Sequence, residues 1–140
     1  MITVLIHTDT RYPVNRKKIR KAVEDTFKKH KVENSDLEVS VAVVGSRKMK
    51  ELSQKYLDDI SNHQILTFVL TESVRKEQLQ QTERLGFVDS PDGILRLGDV
   101  VLCWPQVLED ASYDDIMVDD EVYALICHGV GYLLGYSHDV

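Results

Sequence analysis

Along LEVSVAVV, residues 37–44, apolar and polar side chains alternate: Leu37, Val39, Val41 and Val43 fall on one side, Glu38 and Ser40 on the other. A two-residue period predicts a half-buried strand. ITVLIH at 2–7 is β-branched and partly alternating, which predicts a first strand. ILTFVL (65–70) and GDVVLCW (98–104) are short apolar runs with β-forming residues, bounded by polar or glycine-containing turns, and predict strands buried on two faces. A four-stranded sheet follows.

Between the strands the apolar period changes to that of a helix. Ile19, Val23 and Phe27, supported by Ala22, share one face, and Asn15 precedes them as a cap. Gly45 ends the second strand, Ser46 is placed as the cap of a second helix, and Met49, Leu52 and Tyr56 mark its buried side. Pro105 suits the first turn of a short helix running through Ala111. A longer helix over 116–134 starts in the acidic SYDDIMVDDE, where carboxylates favour the positive helix end. Residues 71–97 are polar and carry the turn signal SPDG, so a helix around 73–84 followed by a loop or hairpin is expected there. No repeat or interdomain linker interrupts the pattern, and residues 1–140 read as one domain.

Composition supports a folded chain: 43% of residues are hydrophobic and 29% charged, and glycine and proline together fill only ten positions. The N-terminal MITVLIHTDTRYPV lacks a basic segment leading into an apolar stretch, and no apolar run is long enough to span a membrane. A cytoplasmic, unanchored protein is expected. Cys103 and Cys127 form no CxxC pair, and each lies in an apolar run, which predicts small buried residues in a reducing compartment. The net charge of −6 speaks against general nucleic-acid affinity, but it is unevenly distributed: Arg11 to Lys31 holds nine basic residues against Glu24 and Asp25. Arg16, Lys17, Lys18 and Arg20 are therefore either a phosphate-facing, RNA-binding patch or the solvated face of an amphipathic helix.

The final helix carries the candidate chemistry. Val118, Val122, Leu125 and Gly129 form one stripe, Tyr132 lies within it and His128 at its edge, one turn before Tyr132. Gly135 tolerates a left-handed helix stop, after which His138 can return toward the helix. The pattern is HxxxYxxGxxH. A histidine in the middle would give the three imidazoles that leave zinc an open position for water. An HExxH peptidase is excluded at position 129, where its glutamate base is replaced by Gly129. Tyr132 is either a phenolate ligand or a packing residue, and His63 is a candidate replacement ligand. Glu121 stands about 10 Å up the helix axis from His128, too far to share an ion with it. It either meets the edge of the site or complements the helix dipole, and Asp139 is either a partner of His138 or a solvated end.

The segment His128-Gly129-Val130-Gly131-Tyr132-Leu133-Leu134-Gly135-Tyr136-Ser137-His138 resembles the YbeY signature HGxLHLxGYDH. VSVAVVGSRKMKELSQKY, ILTF, LGDVVLCWPQVLEDA and EVYALICHG resemble further family segments in the same order, over essentially the whole chain. The resemblance implies a zincin-like α+β domain with a mixed four-stranded sheet, and a zinc ion held by three histidines. It also implies metal-dependent cleavage of single-stranded RNA in ribosomal RNA maturation and ribosome quality control, with ribosomal RNA and the small ribosomal subunit as partners. Carried over residue by residue, His128 and His138 are metal ligands, and Tyr132 stands at the second ligand position. No catalytic residue is assigned. The chain departs from the family at Leu57, His63-Gln64, Tyr132 and Ser137, and lacks an acidic stretch after His138. These departures also fit a catalytically impaired assembly factor that binds RNA and protein at the ribosome.

Overall fold

The computed structural model describes residues 2–9, 11–32, 36–59, 63–69 and 94–135. Strands β1 (Ile2–Thr8), β2 (Leu37–Val44), β3 (Ile65–Val69) and β4 (Leu95–Cys103) form one sheet in the order β1-β2-β4-β3. The first three in that order run parallel, and β3 adds an antiparallel edge. The helices are α1 (Arg16–Lys29), α2 (Ser46–Leu57), α3 (Trp104–Asp114) and α4 (Val118–Leu133). The expected α+β architecture with a mixed four-stranded sheet is thus observed. The helix anticipated around 73–84 lies outside the described residues.

Alternation in β2 places Leu37, Val39, Val41 and Val43 in the larger core, where α1 contributes Ile19, Ala22, Val23 and Phe27 and α4 contributes Val122, Leu125, Ile126, Val130 and Leu133. Helices α1 and α4 therefore cover the same face of the sheet. The opposite face holds a smaller cluster of Met49, Leu66, Val101 and Cys103, flanked by Ala42, Val44, Leu52 and Phe68.

Strand β4 contributes to the larger core in two registers, through Leu95 and Leu97 first and then Val100 and Leu102. An extra residue, Leu97, resets the alternation at a bulge beside Gly98: Glu38 pairs with Arg96 but Val39 pairs with Gly98. Gly98 has φ 145°, and a Cβ there would clash with the Phe68 carbonyl oxygen. Only glycine satisfies both demands.

Several local expectations are corrected. Ser46 is the first helical residue of α2 and Gly45 holds the cap position, since its carbonyl accepts the first helical hydrogen bond, from the Met49 amide; a side chain at Gly45 would meet the Tyr12 hydroxyl at 2.6 Å. Ser53 takes the buried place expected of Tyr56, which is 56% exposed and only rests edge-on against Phe68, ring centroids 5.0 Å apart. Strand β4 begins at Leu95 rather than 98, and Trp104 opens α3, which continues past Ala111 to Asp114. Ile116 and Met117 precede α4 instead of joining it. Cys103 is buried as expected, whereas Cys127 is half-buried with its thiol 3.7 Å from the Ala22 carbonyl oxygen. Among the described residues, no helix is long and apolar enough to cross a membrane.

Replacing Gly98 by valine combines a disfavoured backbone conformation with a backbone clash. Gly98→Val is expected to lower unfolding stability by at least about 2 kcal/mol, measured by urea denaturation. Wild-type stability in the variant would show that the β4 bulge tolerates a side chain.

Candidate functional site

Helix α4 begins at a Met117 that supplies no side-chain cap, but Asp119, Asp120 and Glu121 fill its first turn and complement the positive helix end. Its buried face is broader than the expected stripe, since Ile126, Val130 and Leu133 join Val122, Leu125 and Gly129. Gly129 sets the approach to the sheet: a Cβ there would lie 3.0 and 3.2 Å from the two γ carbons of Val100 and 3.1 Å from Ile65 Cδ1. A glutamate at this position would have to enter the β3–β4 surface, so packing as well as chemistry opposes the HExxH reading.

With Gly129 against the sheet, the neighbouring His128 is exposed and Tyr132, one turn later, is half-buried. Leu134 closes the helix and Gly135 follows at φ 96°, the positive φ expected of a glycine that redirects the chain. His138 lies outside the described residues. His63 stands two residues before β3, whose Ile65 faces Gly129 of α4. Its Nε2 lies 3.0 Å from Asp59 Oδ2. Among the described residues, no three His, Cys, Asp or Glu side chains form a group placed to hold a metal. The donor set there is one exposed imidazole with a phenol one turn away.

A second set of polar contacts ties α1 to α4, which run side by side in the same direction. Asn15 accepts the Lys18 amide hydrogen at 3.1 Å through Oδ1 and donates to Asp119 Oδ2 at 3.1 Å, so one residue caps α1 and binds the start of α4. Lys18 Nζ lies 3.8 Å from Asp120 and 5.4 Å from the centre of the Tyr123 ring. The Tyr123 hydroxyl donates to Asp25 Oδ2 at 2.6 Å, and Lys21 approaches the same carboxylate at 3.2 Å. The Tyr123 bond, helped by Lys21, holds the Asp25 carboxyl below its ordinary range and pushes the Tyr123 phenol up. Periodicity placed Asp25 and Tyr123 on their helices but held no signal that residues so far apart in sequence would meet.

The four basic residues singled out on α1 are now separated. Arg16, Lys17 and Arg20 are exposed, whereas Lys18 is half-buried and engaged by α4. Glu121 is only 8% exposed, and burial, reinforced by Asp114 and Asp110, raises its pKa. Its first-turn position was legible in the sequence, but its burial was not.

These features define an α+β protein in which a histidine-bearing helix is pressed through a glycine onto a mixed four-stranded sheet. A family model described as endoribonuclease YbeY matches residues 5–140, and the chain belongs to that family. Relatives named endoribonuclease YbeY include one from Dehalococcoides mccartyi, 28% identical over 137 residues that cover 98% of this chain and 83% of the relative. Another, from Acinetobacter baumannii, is 27% identical over 141 aligned positions covering 99% of this chain and 81% of the relative. The solution structure of a Thermotoga maritima protein has a similar fold, with a TM-score of 0.57 at 22% identity, over 99% of this chain and 75% of that one.

Two pH effects follow from the α1–α4 contacts and from Glu121. Because the folded-state pKa of Asp25 is lowered, its bond with Tyr123 stabilises above the ordinary carboxylate pKa, and the gain is lost as pH falls through the lowered value. Tyr123→Phe is therefore expected to melt lower than wild type at pH 7, with the gap narrowing below about pH 4. Glu121 behaves oppositely: its raised pKa means that the folded state holds the proton more tightly, so stability declines as pH rises from just below the ordinary value through the raised one. Glu121→Gln should melt higher than wild type at pH 7 and equal it near pH 4 or below, about where the carboxyl is neutral in both states. Pairs of melting curves that remain parallel from pH 3 to 8 would refute both assignments.

Proposed function

We propose that this protein is a metal-dependent endoribonuclease that cuts single-stranded RNA in ribosomal RNA maturation and ribosome quality control, acting in the cytoplasm on the small ribosomal subunit. The observation that carries this reading is the family match over residues 5–140, supported by relatives that bear the name endoribonuclease. His128 and His138 are the proposed zinc ligands in a zincin-like arrangement, with Tyr132 at the second ligand position. His63 is the reserve candidate. Three features support the assignment: the exposure of His128, the placement of the β3 edge beside its turn of α4, and the positive φ of Gly135 before the segment that carries His138.

A bound zinc ion would supply Lewis acidity and a more acidic water for phosphodiester hydrolysis. The chain's own contribution is to hold and orient RNA. Arg16, Lys17 and Arg20 present three exposed cations along α1, and each phosphate neutralised on a single strand adds about 0.7 to the salt slope of binding. Lys18 is committed to Asp120 and Tyr123. It therefore serves the helix pair before it serves RNA.

The ligand assignment is tested by calorimetric zinc titration together with cleavage of a labelled single-stranded ribosomal RNA fragment. Tyr132→His is expected to bind zinc at least about tenfold more tightly than wild type, because a third imidazole replaces a phenol that binds metal only as phenolate. His128→Ala should lose both zinc and cleavage. Equally tight binding by wild type and Tyr132→His would instead mean that Tyr132 or another side chain such as His63 already completes the site. RNA binding without cleavage in fully zinc-loaded wild type would overturn the enzyme reading in favour of an assembly factor.

The RNA face gives a separate expectation. Combined replacement of Arg16, Lys17 and Arg20 by glutamine should weaken RNA binding and lower the salt slope by about 2, whereas Lys18→Gln alone should change the slope little. An unchanged slope in the triple variant, measured by fluorescence anisotropy between 50 and 200 mM salt, would return α1 to an ordinary solvated helix face.

A further inference from the structure

The chain carries no lysine or arginine after Arg96, while residues 109–121 hold seven carboxylates: Glu109, Asp110, Asp114, Asp115, Asp119, Asp120 and Glu121. The fold gathers these around the elbow between α3 and α4. Asp115, at φ 57°, closes α3 by donating its amide to the Ser112 carbonyl, and the Ile116 amide donates to the Ala111 carbonyl. This paired closure fixes the turn and holds its apolar residues outside the core. Tyr113 is 89% exposed, Met117 71% and Ile116 44%. Three large apolar side chains within five residues thus face water inside an acidic border.

The border is divided. Asp119 accepts from Asn15 and Asp120 pairs with Lys18, so those two carboxylates serve the α1–α4 junction. Glu109, Asp114 and Asp115 are exposed on the outer side. Tyrosine and methionine suit such a surface: a phenol offers apolar area at little entropic cost, and a thioether adapts its shape to what it meets. The surrounding carboxylates select the sign of the partner. RNA and anionic lipid surfaces are repelled, whereas a segment with lysine or arginine beside its apolar residues matches in both respects.

We propose that the α3–α4 elbow docks a basic, apolar-containing segment of a partner protein. Its apolar side chains rest on Tyr113, Ile116 and Met117, and its cations meet Glu109, Asp114 and Asp115. The molecule then offers two recognition surfaces of opposite sign, α1 for a polyanion and the elbow for a cationic protein segment. The elbow assignment does not depend on nuclease activity.

The probe is a fluorescein-labelled twelve-residue peptide of alternating lysine and leucine, titrated by anisotropy against the full chain. Two comparison peptides replace leucine by serine or lysine by glutamate. Protein variants are Tyr113→Ser/Ile116→Ser/Met117→Ser, Glu109→Gln/Asp114→Asn/Asp115→Asn, and a charge-matched control, Glu24→Gln/Glu51→Gln/Asp58→Asn. All changes are at the surface, and circular dichroism with melting curves checks that each variant remains folded. Both elbow variants are expected to bind the lysine–leucine peptide about tenfold or more weakly than wild type, with the control within about twofold. The charge variant alone should also show a flatter salt dependence. Equal binding by wild type and the apolar variant would reduce the effect to diffuse counterion attraction and overturn the proposal. So would a control that loses as much affinity as the elbow variants, or equal binding of the glutamate peptide. A wild-type dimer in light scattering that the apolar variant lacks would assign the elbow to a second copy of this chain and overturn it as well.

Discussion

Helix α4 lies directly on the β3–β4 edge of the sheet, and two glycines permit that contact. Gly129 removes the side chain that would collide with Val100 and Ile65, and Gly98 removes one that would collide with Phe68 and press on Leu133. Because the helix meets the sheet along this line, residues on its other sides are positioned as a consequence. His128 projects outward, Tyr132 sits at the margin, and Tyr123 and Cys127 face α1. A separation of even one methyl group at Gly129 would move the candidate metal helix relative to the edge strand. The same close approach crowds any larger residue after the histidine, in keeping with Gly129 standing where peptidases that share this histidine spacing carry a glutamate.

The bulge at Gly98 is the second half of that constraint. Without it, strict alternation would turn either Leu95 and Leu97 or Val100 and Leu102 away from α1 and α4. With it, β4 feeds the larger core along its whole length, while Val101 and Cys103 still support α2 on the opposite face. The packing that secures the helix and the packing that secures the sheet meet in one residue.

Charge is organised around the same helix. Acidic side chains open α4, and basic ones line α1 beside it, so Asn15, Lys18, Asp119 and Asp120 form a polar seam where the two helices begin. Exposed ion pairs of this kind contribute little individually. Their value here is alignment: Asn15 donates to Asp119 and Lys18 pairs with Asp120, while Arg16, Lys17 and Arg20 on α1 and Glu109, Asp114 and Asp115 at the elbow stay exposed. The buried Glu121 stands against this economy, with burial and neighbouring Asp114 and Asp110 all disfavouring its charge.

The sequence determined much by itself. The two-residue period of 37–44 defined β2 and its core face, the helical period of 19–27 defined α1, and Asn15 was correctly read as a cap, because each signal is local and its physics acts within one or two turns. The YbeY resemblance and the helical placement of His128 and Tyr132 were legible for the same reason. Tertiary structure decided what local pattern cannot encode. The Gly98 bulge moved the start of β4, Gly45 rather than Ser46 capped α2 close beside the Tyr12 hydroxyl, and Ser53 rather than Tyr56 was buried. It also committed Lys18 to α4, joined Tyr123 to Asp25, and left Ile116 and Met117 exposed in a turn instead of inside a helix. In each case the deciding contact joins segments distant in sequence, or a turn whose geometry depends on them, and its energy appears only when the chain has closed on itself.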